Sequence, residues 1–236
     1  YLSTGLVAEN HARESGISRE DQDAFALRSH QRAVAAIDAG RFAAELMPVT
    51  VEVAEPSANG TPQTKTVVVD RAEAPRGDTS AEALARLRPV FHVSGSVPAA
   101  NSSQTSDGAA AVLVMSEERA RALGIDPMAR FRGYATAGVR PELFGIGPVP
   151  AIRKVLDRTG LSLADVDLVE LNEAFAAQVP ACLQELPSHD ARLNVNGGAI
   201  ALGHPLGCTG ARLTTTLLYE MKRRNARLGM VTLCVG

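Results

Sequence analysis

Apolar positions in this chain change their spacing partway along it, and the change separates two styles of sequence. Ser18 followed by acidic Asp21 has the form of a helix cap with a first-turn carboxylate. The Ala-rich segment 23–39 then places Leu27, Val34 and Ile37 along an amphipathic helix that Gly40 stops. β-Branched runs at 47–53 and 65–69 flank a stretch, 55–63, containing Pro, Asn and Gly, which predicts a strand pair with a long loop. Residues 80–88 read as a short helix. Residues 89–107 are rich in Ser, Pro, Gly and Asn and read as irregular chain, where function often resides.

After Gly108 the apolar runs become short and alternate with helical patterns. A continuous apolar run, 109–115, predicts a buried strand, and Ser116 caps a helix that ends at Gly124. Strands are expected at 130–137, 167–171, 192–195 and 229–235, and helices at 150–159, 173–185 and 210–224. Strand–helix alternation of this kind predicts a layered α/β fold with helices covering a central sheet. The first 105 or so residues, different in style, are expected to form a lobe of their own.

Composition narrows the function classes. The chain has 236 residues, enough for a sizeable core, with 45% hydrophobic and 21% charged residues and a formal net charge of −2. That charge gives no electrostatic reason to expect nucleic acid or an anionic membrane as partner. No apolar run approaches the ~20 residues that would span a bilayer. The first residues, Tyr1 to Gly5, have neither the basic flank nor the apolar core of a signal peptide, and the absence of an initial Met suggests truncation. Three cysteines, Cys182, Cys208 and Cys234, point to reduced thiols in a cytosol-like compartment rather than to a disulfide framework.

Three short stretches, each just beyond an expected strand, are candidates for chemistry, because open α/β sheets bind ligands at strand ends. In Asn172-Glu173-Ala174-Phe175-Ala176 the asparagine sits at a turn, where it would either cap the next helix or act catalytically. The stretch 196–212 carries five glycines, with His204 held between Gly203 and Pro205, an environment that fixes a side chain's direction and lets a ligand approach the backbone. Its spacing does not fit the nucleotide-binding fingerprints, and His204 with Cys208 would supply only two ligands for a metal. Cys234-Val235-Gly236 ends the chain, and a cysteine finishing a buried strand is either a small packing residue or a functional thiol.

Taken together, these stretches resemble the thiolase family. The Asn-Glu-Ala-Phe-Ala block, the Gly-His-Pro block and the Cys-Val-Gly ending stand in thiolase order and at thiolase separations. Segments starting at Ile17, Ala100 and Gly145 also look like thiolase segments, so the resemblance runs from Gly5 to Gly236. It implies a thiolase-like layered α/β fold, present in part: a loop domain over 1–105 that covers CoA, a strand and helix over 106–127 that complete the N-terminal thiolase domain, and a C-terminal thiolase domain over 128–236 that lacks its last strand. It implies cleavage of 3-ketoacyl-CoA by CoA, or the reverse Claisen condensation, with CoA as a substrate and no metal or redox cofactor. By matching motif, His204 would activate a nucleophilic cysteine and Cys234 would be the second acid/base. His204 with a water held by Asn172 would form one oxyanion hole, and the Gly236 N–H half of another. Ser103, Ala174 and Phe175 fall at positions resembling CoA contacts. Acyl-CoA and CoA as binding partners, a homo-dimer or tetramer and a bacterial cytoplasmic location follow by the same analogy. The 103–108 and 207–210 sequences lean toward the degradative thiolases of β-oxidation over biosynthetic acetoacetyl-CoA thiolases.

The sequence also departs from the pattern. No cysteine precedes Cys182, so the expected nucleophile is absent, and the chain is expected to be an inactive C-terminal portion of an enzyme. Val7 and His11 stand where Thr and an apolar residue are expected. A ketoacyl carrier-protein synthase is disfavoured by the Cys234 ending. A non-catalytic CoA or lipid carrier is disfavoured by Asn172, His204 and Cys234 occurring together, and nothing positive supports an assembly module.

Overall fold

The computed structural model describes residues 2–56, 62–186 and 190–235. Helices α1 (Thr4–Glu14) and α2 (Arg19–Asp38) come first, followed by the antiparallel pair β1 (Val49–Glu55) and β2 (Gln63–Val69) and two short helices, α3 (Ala81–Ala85) and α4 (Glu117–Ala122). Then come α5 (Pro148–Thr159), β3 (Leu168–Leu171), α6 (Gln178–Glu185), α7 (Ala199–Leu202), α8 (Thr209–Arg224) and β4 (Gly229–Thr232). Local chemistry sets most of these boundaries. Ser18 and Asp21 form the reciprocal capping box of α2, Ser80 and Ser116 cap α3 and α4, and Pro148 opens α5. Helix α1, which the sequence pattern does not announce, is capped by Ser3, and Leu6 and Val7 are its only large apolar residues, too few for a clear apolar stripe.

The strands β3 and β4 pair in parallel, Leu168 opposite Gly229 through Leu171 opposite Thr232. Every residue of β3 is buried, as expected where helices cover both faces of a parallel strand. Val169 and Leu171 join a core with Val149 and Ile152 of α5, Val179 and Cys182 of α6, Ile200 of α7, and Phe25 and Ala26 of α2. Phe25, Ala26 and Leu84, from the stretch expected as a lobe of its own, thus pack into the same core as the second half. Helix α2 packs on α7, Arg32 Nη1 donates to Leu193 O at 2.8 Å, and Thr216 Oγ1 donates to Glu45 Oε1 at 3.1 Å. Among the described residues, no helix is long and apolar enough to cross a membrane.

Four sequence expectations are corrected. Residues 109–115 and 130–137 are irregular chain and not strands, and neither pairs with a strand among the described residues. Leu113, Val114, Phe131 and Tyr134 are exposed instead of buried, since a strand needs a neighbour to close its ladder. In place of a neighbour, Lys154 and Arg158 of α5 reach across to the carbonyls of Thr136 and Tyr134. The expected strand 192–195 is reduced to two isolated bridges, Leu193 to Val169 and Val195 to Gly197, because Asn194 between them turns to a left-handed φ of 43°. There the Asn194 side chain takes over the ladder, accepting from Leu171 N (2.9 Å) and donating to Leu171 O (2.8 Å). The helix expected from 173 begins only at Gln178. The expected 55–63 loop falls partly on residues 57–61, outside the described residues.

Gly197 shows how closely α2 approaches the second half of the chain. Its φ is +82°, and a Cβ there would lie 2.7 Å from Ser29 O and 2.8 Å from Ala33 Cβ. Gly197→Ala is expected to cost roughly 1–3 kcal/mol from left-handed strain, with the backbone clash adding to it, read as a lower urea midpoint at unchanged m-value.

Candidate functional site

Asn172 is the first residue beyond β3, and its N–H donates to Thr232 O at 3.0 Å. It thus continues the strand, and the helix-capping alternative falls away, since α6 starts six residues later. The intervening chain cannot coil because its backbone groups are already engaged. Ser103 N donates to Ala174 O (2.9 Å), Ala176 N donates to Asn101 O (2.8 Å), and Phe175 bridges Ser102. Ser103, Ala174 and Phe175 are thereby brought into one short antiparallel patch.

That patch is held from the N-terminal side. Asp23 of α2 accepts from both Arg19 and Asn101, while Glu9 of α1 accepts from the backbone N–H groups of Ser96 and Val97. The Phe91 ring meets Phe175 edge-on at 5.9 Å. The irregular segment then runs on to Gln104, whose carbonyl accepts His204 N–H at 3.0 Å. Gly203 has a φ of +89°, and a Cβ there would lie 2.2 Å from Ser106 Oγ, so this position requires glycine on both counts.

The His204 ring is gripped at both nitrogens. Nδ1 lies 2.7 Å from Thr209 Oγ1, at the start of α8, and Nε2 lies 3.3 Å from Asn172 Nδ2. Burial lowers the imidazole's proton affinity below its ordinary 6.5, and the positive charge of Arg212 on α8 lowers it further, so the ring is neutral at pH 7. Asn172 is buried, and its Oδ1 has no hydrogen-bond partner among the described residues.

Next to Asn172, the fully buried Glu173 joins three parts of the chain. Its carboxylate accepts from Ser29 Oγ of α2 at 2.6 Å, from Asn194 Nδ2 at 2.9 Å and from Ile200 N of α7 at 3.2 Å. Burial raises its pKa, and these three donors oppose the rise. Within β3, Glu170 is pushed up to about 8, and Glu45, ahead of β1, to about 7, both by burial, with Arg212 partly offsetting the rise.

Cys234 follows β4 at the same carboxyl edge of the sheet from which Asn172 leaves β3. Its thiol is buried, and burial pushes it up to about 11. The structure therefore brings Asn172 and His204 into direct contact and sets Cys234 on the neighbouring strand end. Gly236 lies outside the described residues. Cys182 sits deep in α6, donates to Gly145 O at 3.4 Å and is pushed up to about 12, mainly by burial, which makes it an inert packing thiol. His11 and Val7, the departures in α1, are both buried, and the His11 ring lies close against Gly145.

Sequence reasoning missed Glu173, Asn194, Ser29, Thr209 and Arg212 as parts of this site. Glu173, Thr209 and Arg212 stood inside the motif stretches, but nothing in a linear pattern shows which polar residue is buried or what it meets. Glu173→Ala would leave three donors unpaired and is expected to cost about 3–5 kcal/mol in urea unfolding; Glu173→Gln, which keeps the acceptor oxygen, should cost less than half of that.

Two family models match the chain, one described as "Thiolase, N-terminal domain" over residues 2–118 and one as "Thiolase, C-terminal domain" over residues 125–236. A Bacillus subtilis protein named "3-ketoacyl-CoA thiolase" is 53% identical over 236 residues, which is 100% of this chain and 60% of that protein. An Escherichia coli "Probable acetyl-CoA acetyltransferase" is 55% identical over 232 residues, 98% of this chain and 57% of that one. Among solved structures, the Bacillus anthracis acetyl-CoA acetyltransferase superposes with a TM-score of 0.94 at 47% identity, over 100% of this chain and 58% of that chain. The human mitochondrial 3-ketoacyl-CoA thiolase in complex with CoA gives 0.89 at 42% identity, over 100% and 56%. The chain thus spans less than two thirds of the length of these relatives.

Proposed function

The chain belongs to the thiolase family, and on that premise we propose that it carries the acid/base and oxyanion-stabilising residues of an acyl-CoA acetyltransferase that cleaves 3-ketoacyl-CoA with CoA. The observation that supports this reading most directly is the Asn172–His204 contact at the carboxyl edge of β3, beside the strand end that bears Cys234.

In the proposed reaction a cysteine thiol attacks the 3-keto carbon while His204 Nε2 takes its proton. The C2–C3 bond breaks, and the departing acetyl-CoA enolate takes the proton of the Cys234 thiol. CoA then gives its thiol proton to the Cys234 thiolate and attacks the acyl thioester, and His204 returns its proton to the released nucleophile. The two environments suit these tasks. A neutral imidazole can accept a proton at pH 7, and a thiol raised to about 11 keeps its proton until a strong base forms beside it. His204, together with a water held by Asn172 Oδ1, would stabilise the enolate oxygen, and a Gly236 N–H would serve the acyl-transfer steps. Ser103, Ala174 and Phe175 would line the approach of CoA, since their patch leads through Gln104 to His204.

The nucleophile is assigned to polypeptide beyond these 236 residues, because no cysteine precedes Cys182 and Cys182 itself is held protonated in the core. The isolated chain is accordingly expected to be inactive. Thiolysis is favoured over synthesis by the 103–108 and 207–210 sequences. A homo-oligomer in a bacterial cytoplasm is part of the same proposal, and all three cysteines are free thiols, consistent with a reducing compartment.

The test is a completed enzyme, made by joining this chain to all the portions of the Bacillus subtilis relative that it does not match, on either side. It is expected to cleave acetoacetyl-CoA or a longer 3-ketoacyl-CoA. His204→Ala and Cys234→Ala should each lower kcat by about 10²–10⁴. The acid limb of kcat/KM should fall below pH 6.5, because the base loses activity only as it gains a proton and its affinity for that proton is reduced. Undiminished turnover by Cys234→Ala would overturn the assignment of the second acid/base.

A further inference from the structure

His204 has two nitrogens and, when neutral, one proton to place between them, and the surrounding bonds decide where it goes. Thr209 Oγ1 lies 2.9 Å from Pro205 O and 2.7 Å from His204 Nδ1. The Thr209 hydroxyl donates to Pro205 O, which also receives the N–H groups of Cys208 and Thr209, so its one proton points away from His204. The Thr209 oxygen must then accept from His204, which requires the proton on Nδ1. That leaves a lone pair on Nε2, which is the atom facing the Asn172 amide, and the N–H of Asn172 Nδ2 complements it. With the proton on Nε2 instead, two donors would face each other on the Asn172 side while Nδ1 and Oγ1, both without a proton to share, would face each other on the Thr209 side.

We propose that Thr209 is a positioning residue that fixes the Nδ1–H tautomer of His204 and so presents Nε2 as the proton acceptor. The observations behind this are geometric. Thr209 is fully buried, so water does not compete for either of its bonds. It is the first residue of α8, whose turn returns its own N–H to Pro205 O at 3.0 Å, so side chain and backbone both hold Pro205, the residue directly after His204. The ring is anchored on its other side by His204 N–H to Gln104 O at 3.0 Å. The proposal deepens the reading of His204 as the base, because a base of that kind works only if the nitrogen facing the reacting proton is bare.

Nitrogen-15 NMR of the histidine-labelled 236-residue chain reports the tautomer directly and needs no turnover. The chain has 5 histidines, and His204→Gln identifies the resonance. At pH 8 the wild-type ring should show a protonated Nδ1 and a bare Nε2. Thr209→Ser should keep that pattern, and Thr209→Val, which has nearly the same shape but no hydroxyl, should shift the ring toward the other tautomer or a mixture. In the completed enzyme, Thr209→Val should lower kcat by about 10²-fold with KM little changed, and Thr209→Ser should restore most of it. A protonated Nε2 in the wild type, or an unaltered tautomer in a folded Thr209→Val chain, would overturn the proposal whatever the enzyme does. A correct tautomer response with no loss of kcat would instead show that His204 is not the base, which is a failure of the functional reading and not of the tautomer lock. Should Thr209→Val fail to fold, the same spectrum of the wild type and of Thr209→Ser still decides, because both must carry the proton on Nδ1.

Discussion

The arrangement depends on a carboxylate that water cannot reach. Glu173 follows Asn172 directly, and its three bonds tie down a helix from the first third of the chain, a turn beside the sheet and the short helix that leads to His204. Removing an ionisable group from water is costly unless donors replace the lost solvation, and here every donor comes from a different segment. Satisfying one side chain therefore assembles the neighbourhood of the site. Gly198 is part of the same constraint, since a Cβ there would meet the Glu173 carboxyl at 2.1 Å. Asn172 and His204, 32 positions apart, meet because their neighbours in sequence are held to one another.

A second theme is that polar side chains finish what the backbone leaves open. Asn194 supplies the ladder bonds of Leu171 where its own backbone turns aside, Asp23 supports Asn101, and Thr209 connects His204 to Pro205. Each bond of this kind fixes an irregular stretch that would otherwise have little to hold it. The result is a precise site built on turns around a very small parallel sheet.

How much of this was legible in the sequence depends on how local the causes were. Helix α2 could be read because its cap, its spacing and its terminal glycine all lie within one window, and α5, α8 and the β1–β2 pair could be read for the same reason. The runs 109–115 and 130–137 misled because apolar and aromatic residues report a preference for burial, while a strand also needs a neighbour that the pattern does not contain. Asn172, His204 and Cys234 stood out through their placement at strand ends and through family resemblance. Their supporting groups did not, since Ser29 and Glu173 lie 144 positions apart and no periodicity links them. The packing of Phe25, Ala26 and Leu84 into the core of the second half escaped for that reason too.

The β1–β2 hairpin has a consequence of its own. Almost all its side chains face solvent, Val49 stands opposite Val69 and Val51 opposite Val67, and both outer edges are without a strand neighbour among the described residues. Two strands alone are marginally stable in water, so this ribbon should exchange its amide hydrogens well before the sheet beneath His204 does. A protease would be expected to nick the molecule here first and leave the scaffold around His204 standing, which makes the hairpin the natural place to insert a label or a tether.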